Sequence, residues 1–149
     1  MEVGGFVSLS LIDYPRTRSA VVFTMGCNFC CDYCHNASLQ ETVAGTGRAE
    51  LIMRRIEALK AKDAIEGVVL TGGEPLLHED TPDFVKKLKA RGLKVKLDTN
   101  GAFPHRLERA LPDLDYVAID YKATAEEYGL LKKGALRVSE KVCIFGLRS

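Results

Sequence analysis

The chain has 149 residues, enough for one domain with a sizeable core. Apolar residues make up 46% and charged residues 28%, and the formal net charge is +1, so no long-range field selects nucleic acid or an anionic membrane as a partner. No apolar run reaches the roughly 18 residues of a membrane span and the first residues lack the basic and apolar regions of a signal peptide, so a cytoplasmic protein is expected.

Strand and helix patterns alternate along the chain. Residues 19–25 (S-A-V-V-F-T-M) form a short β-rich run, and residues 49–62 carry Ile52, Ile56 and Leu59 on one helical stripe. Residues 67–71 read as a second strand. Thr81 is expected to cap a second helix with Pro82 at its first position, Phe84, Val85 and Leu88 on its buried face and Gly92 as its stop. Residues 93–98 form a third strand, 104–111 a short helix and 116–121 a fourth strand. Residues 123–132 are weakly helical, and 137–145 are expected as a fifth strand. Within the third strand, Lys94, Lys96 and Asp98 share one parity and Leu93, Val95 and Leu97 the other. The lysines should face a lumen beside Asp98 while the apolar set packs on helices.

Short loops between such units imply a parallel sheet. A closed eight-unit barrel needs about 250 residues. The expected fold is therefore α/β: a partial (βα) barrel, or strongly curled parallel sheet, of about five strands in a single domain over residues 1–149. Polar motifs follow the strands: the cysteines after the first, Gly72-Gly73-Glu74-Pro75 after the second, Asp98-Thr99-Asn100-Gly101 after the third and Asp120-Tyr121-Lys122 after the fourth. Parallel α/β folds bind ligands at strand C-terminal ends, so four such motifs describe one site.

Five cysteines are present, an odd number, and four of them fall between Cys27 and Cys34. Such crowding suits metal ligation better than a disulfide scaffold. Cys27, Cys31 and Cys34, spaced C-x3-C-x2-C, can hold three corners of a [4Fe–4S] cubane and leave the fourth iron open to a small molecule. A zinc site would pair Cys27 with Cys30 and Cys31 with Cys34, but these pairs abut where zinc pairs are usually separated by roughly 12 residues or more. A redox C-x-x-C is the other alternative, and it leaves two cysteines unexplained. Cys30 reads as a small apolar side chain, and Cys143, within an apolar run, as core.

C-x3-C-x2-C with an aromatic residue before the last cysteine, followed by Gly72-Gly73-Glu74-Pro75, resembles the radical S-adenosylmethionine (SAM) superfamily. The likeness covers roughly residues 4–128. Ser10-Leu11-Ile12-Asp13-Tyr14-Pro15, Val21-Val22-Phe23-Thr24, Gly26-Cys27-Asn28-Phe29 and Cys34-His35-Asn36 look most like the glycyl-radical-enzyme activases, in particular those of anaerobic ribonucleotide reductases. The chain is shorter at its C-terminus than longer members of that group.

The resemblance implies a [4Fe–4S] cluster on Cys27, Cys31 and Cys34 and SAM as second cofactor. It implies reductive cleavage of SAM to a 5′-deoxyadenosyl radical and hydrogen abstraction from a glycine of a partner enzyme. The Gly72-Gly73-Glu74 loop is expected at the ammonium of the methionine moiety, with Glu74 adding negative charge. Asp98, Thr99 and Asn100 are expected as further SAM contacts, Lys122 at the SAM carboxylate with Asp120 holding it, and Tyr33 beside the cluster and adenine. His35 would shield the cluster or cap a turn. Flavodoxin or ferredoxin would suit as electron donor. Two alternatives stand: a radical SAM enzyme acting on a small molecule or RNA, and a degenerate, non-catalytic iron–sulfur or zinc module.

Overall fold

The computed structural model describes residues 1–31, 34–41 and 48–120. Five strands form one sheet in chain order: β1 (Val3–Ser10), β2 (Ser19–Thr24), β3 (Gly67–Gly72), β4 (Lys94–Thr99) and β5 (Tyr116–Ile119). Helices α1 (Arg48–Ala61), α2 (Thr81–Ala90) and α3 (Pro104–Ala110) lie between the parallel strands. β2 to β5 run parallel, whereas β1 pairs antiparallel with β2. Among the described residues the sheet is open, with β1 and β5 at its edges. The partial-barrel class therefore holds. The strand that completes five is N-terminal and antiparallel, while the expected strand at 137–145, the helix at 123–132 and Cys143 lie outside the described residues.

Strand alternation sorts the side chains onto two faces. Ala20 and Val22 of β2, Val68 and Leu70 of β3, and Val95 and Leu97 of β4 join Ile52, Ile56, Val85 and Leu88 in one core under the helices. The opposite parity puts Val21 and Val69 with Tyr14, against Phe23 and Tyr116, on the inner face. Burial on both faces explains why β2 and β3 read as continuous apolar runs. β4 follows the expected split for its apolar set, since Leu93, Val95 and Leu97 are buried in the helix-covered core; Lys96 pairs with Asp98 across one step of the other face, whereas Lys94, at the start of the strand, is exposed.

Thr81 does not cap α2. It is the first helical residue, Asp80 precedes it without a side-chain cap bond, and the Thr81 hydroxyl donates to the Pro75 carbonyl at 2.6 Å. Thr81 is fully buried, so its hydroxyl takes a carbonyl of the preceding turn rather than a helix N–H.

The register aligns the strand C-termini. Thr24 lies beside Gly72, Leu70 beside Leu97 and Thr99 beside Ile119. The segments that follow β2, β3, β4 and β5 therefore emerge along a single rim.

Candidate active site at the strand C-termini

Three glycines let the cysteine loop sit on its neighbours. A Cβ at Gly73 would stand 2.1 Å from the Gly26 carbonyl oxygen, and one at Gly72, where φ is +115°, 2.4 Å from the Thr24 nitrogen. A Cβ at Gly4 would meet the Leu39 and Met25 side chains at 2.5 and 2.7 Å. The pair Gly72-Gly73 was expected to admit a ligand; the close approach that the structure shows is to protein backbone. Gly73 N–H donates to Thr24 O at 2.9 Å, Glu74 N–H to Gly26 O at 2.8 Å, and Gly26 N–H to Leu39 O at 2.7 Å. Cys27 N–H donates to Gln40 O at 3.1 Å, which closes the far side of the loop.

A cavity of about 320 Å³ opens at this rim. Cys27, Cys31 and Cys34 line it from the first loop, Gly72 and Gly73 from the second, Asp98, Thr99 and Asn100 from the third, and Asp120 from the fourth. Strand parity explains the deeper wall, since Thr71 shares the inner face with Val69, Asp98 with Lys96 and Asp120 with Tyr116. Cys30 is exposed, outside the cavity lining, with its thiol 3.7 Å from Gln40 Oε1. Tyr33 and Lys122 lie outside the described residues.

Glu74 is placed differently from the other motif residues. It is fully buried and does not line the cavity. Its carboxylate accepts Leu76 N–H at 2.9 Å, the Thr99 hydroxyl at 2.7 Å and Asn100 N–H at 2.7 Å. Burial pushes its pKa up to about 7 against the pull of these three donors.

Below the cavity the inner face is filled. Tyr14 meets Tyr116 edge to face, with ring centroids 6.1 Å apart, and burial pushes its phenol up to about 12. Lys96 Nζ lies 2.8 Å from Asp98 Oδ1, donates to the Asp13 carbonyl at 2.7 Å and stands 5.7 Å from the Tyr116 ring centre. Burial raises the Asp98 pKa; Lys96 opposes that rise and the Asp120 charge adds to it.

Several contributors were given no site role from sequence. Thr71, Gln40 and Asn36 line the cavity, and Phe29, 1% exposed, packs with Ala102 against Cys27 and Cys31. Phe29 N–H donates to Cys27 Sγ at 3.4 Å. Burial raises the Cys27 thiol, and this N–H draws it back. Asn28, buried beside Cys27, accepts Asn100 Nδ2 at 2.8 Å. Asn28, Phe29 and Asn36 fall within the segments that carry the family resemblance, whereas no local pattern marks Thr71 or Gln40.

The donor set fits an iron–sulfur cluster. Three thiols share one wall and the Phe29 N–H reaches the Cys27 sulfur, the usual ligands and a usual tuning group of such clusters. Among the described residues no three Cys, His, Asp or Glu side chains are gathered as the shell of a single ion, and Cys30 stands apart from a four-thiol zinc set.

A family model described as the radical SAM superfamily matches residues 21–141. The chain belongs to the radical SAM superfamily. Membership implies a [4Fe–4S] cluster and SAM. This radical SAM chain is 40% identical over 129 residues to a Methanocaldococcus jannaschii protein named provisionally as a glycyl-radical enzyme activating enzyme, covering 85% of the chain and 52% of that protein. It is 34% identical to the pyruvate formate-lyase-activating enzyme of Clostridium pasteurianum, over 77% of the chain and 50% of that enzyme. It is 33% identical to the 7-carboxy-7-deazaguanine synthase of Methanothermobacter thermautotrophicus, over 78% and 47%. The crystal structure of QueE from Escherichia coli matches in fold with a TM-score of 0.61 at 17% identity, over 93% of this chain and 60% of that one. The chain thus spans about half the length of the curated relatives it matches. No helix of the described residues is long and apolar enough to cross a membrane.

Proposed function

We propose that Cys27, Cys31 and Cys34 hold a [4Fe–4S] cluster and that SAM binds over it in the cavity at the strand C-termini. When bound, the pair supplies reductive cleavage of SAM to methionine and a 5′-deoxyadenosyl radical that abstracts hydrogen from a substrate. The observation that carries this reading is convergence: three of four clustered cysteines, which follow β2, and the polar ends of β3, β4 and β5 meet in one cavity.

The chain's own residues would do the following. The cysteine loop, hung on Gly26 and Cys27 through backbone bonds to Leu39 and Gln40, presents the thiols. Gly72 and Gly73 set the height of the neighbouring loop, with room for the methionine end of SAM beside it. Asp98 and Asp120 face the same cavity and offer carboxylates to its polar groups, with Thr99 and Asn100 beside them. Phe29 and Ala102 keep the cluster side dry, which strengthens each electrostatic contact there. Tyr33 and Lys122 are proposed to complete the SAM site.

The substrate we propose is a backbone glycine of a partner enzyme, such as an anaerobic ribonucleotide reductase, with a flavodoxin or ferredoxin as reductant. The two activating-enzyme relatives support this. The 7-carboxy-7-deazaguanine synthase relative favours a second reading, a small-molecule substrate. The test is anaerobic reconstitution of the chain followed by iron analysis and a SAM cleavage assay under dithionite. Wild type and Cys30→Ala should bind iron and form 5′-deoxyadenosine, and Cys27→Ala, Cys31→Ala and Cys34→Ala should not. Deuterium transfer from a labelled glycine peptide to 5′-deoxyadenosine separates the two substrates. Iron uptake and turnover untouched in Cys31→Ala would end the reading.

A further inference from the structure

The motif glutamate was expected to reach SAM, yet its carboxylate is fully buried outside the cavity lining and accepts hydrogen bonds from Leu76, Thr99 and Asn100. Its backbone and side chain point to two different strand ends. The Glu74 N–H donates to the Gly26 carbonyl, one residue before Cys27. The carboxylate receives Asn100 N–H, and Asn100 Nδ2 donates to Asn28 Oδ1, one residue after Cys27. Gly26, Cys27 and Asn28 are joined covalently, so the path closes: Glu74, Gly26, Cys27, Asn28, Asn100 and back to Glu74. Cys27 sits inside this ring. Asn100 Nδ2 also stands 4.0 Å from Cys27 Sγ.

We infer that Glu74 is a positioning residue for the cluster rather than a SAM ligand: the hydrogen-bonded ring fixes Cys27 from both sides and places one buried carboxylate beneath it. The inference rests on the cofactor reading given above. Two consequences follow from the geometry. Opening the ring loosens the Cys27 side of the cluster. Removing the buried negative charge makes reduction easier, because the potential of an iron–sulfur centre follows the charge and hydrogen bonds around it. Contact with SAM has no part in either effect.

The test uses the full chain, reconstituted anaerobically, as wild type, Glu74→Gln and Asn28→Ala. Glu74→Gln keeps an acceptor for Leu76 and Thr99 and removes the charge; Asn28→Ala opens the ring and leaves the charge in place. Midpoint potentials are read by mediator titration at about pH 8.5, where a carboxyl of pKa about 7 is ionised. Iron retention is followed against a chelator, and SAM binding by equilibrium dialysis. Glu74→Gln should shift the midpoint to more positive potential and lose iron faster than wild type. Asn28→Ala should lose iron severalfold faster without the positive shift. SAM affinity at the loaded cluster should stay within about twofold of wild type in Glu74→Gln. A wild-type midpoint with wild-type iron retention in Glu74→Gln overturns the inference, and so does a loss of SAM affinity with both other readouts unchanged. Wild-type chain that takes up no iron overturns the cofactor reading itself, a failure visible before any variant is compared.

Discussion

Replacing Gly73 by alanine should destabilise the chain far more than an alanine at Gly92. The new Cβ would lie 2.1 Å from Gly26 O, 2.7 Å from Gly26 C and 3.1 Å from Leu39 O. All three are backbone atoms, so no side chain can swing aside. The loop after β3 must therefore lift off the cysteine loop, which costs about 1–3 kcal/mol as overpacking. Lifting also breaks the Gly73–Thr24 and Glu74–Gly26 hydrogen bonds, at about 1 kcal/mol each. A total of about 3–5 kcal/mol is a large share of the stability of about 5–15 kcal/mol typical of one domain. Gly92 provides the control: its φ is +70° and nothing lies within 4 Å of its Cβ position, so alanine there costs only the left-handed backbone, about 1 kcal/mol. Both substitutions change the unfolded chain alike. Urea unfolding followed by circular dichroism gives the comparison directly. If Gly73→Ala is no less stable than Gly92→Ala, the close seating of the two loops is not what the glycine serves.

Other outcomes follow from single contacts. The Glu74 carboxyl has a folded-state pKa of about 7 against an ordinary value of 4.5, so its protonated form is favoured by folding. That contribution is complete below about pH 4.5 and disappears as pH rises through about 7; the gap is worth about 3 kcal/mol. Urea midpoints of wild type measured against Glu74→Gln should show this decline, and parallel pH profiles would refute it. Lys96→Met strips Asp98 of its cationic partner and leaves the Asp13 carbonyl without that donor. With the two side chains only 12% and 24% exposed, the expected loss is about 2 kcal/mol in thermal or urea unfolding, against near zero for a solvated pair. Thr81→Val removes the hydroxyl bond to Pro75 O, which keeps His78 N–H as a donor. A loss of about 1 kcal/mol is expected, and no change in the urea midpoint would show that this bond is idle.

Much of this arrangement is legible in the residues because local pattern and tertiary fate agree. The runs at β2 and β3 are apolar throughout because both faces are covered, and the alternation in β4 separates core from inner face. β1 is hidden for the opposite reason. It is an edge strand with Gly4 and Gly5 near its start, and Val7 and Leu9 are 42% and 50% exposed, so neither propensity nor a buried stripe announces it. The rim motifs could be placed from the rule that strand ends carry ligands, and the structure gathers those that it describes. The contacts of Glu74 were not legible because its partners, Thr99 and Asn100, lie a whole strand–helix–strand unit away in sequence. No local pattern distinguishes an acid that faces a ligand from one that clamps two loops. Cys30 is separated from its neighbours by orientation alone, which spacing cannot reveal.

The packing of Tyr14 on Tyr116, with Lys96 set against the Tyr116 ring and Asp98, fills the inner face of the sheet next to the cavity lining. Among the described residues that packing reaches the cavity lining through Asp98, which Lys96 holds at 2.8 Å, so the floor of the site is tied to the far side of the sheet's inner face.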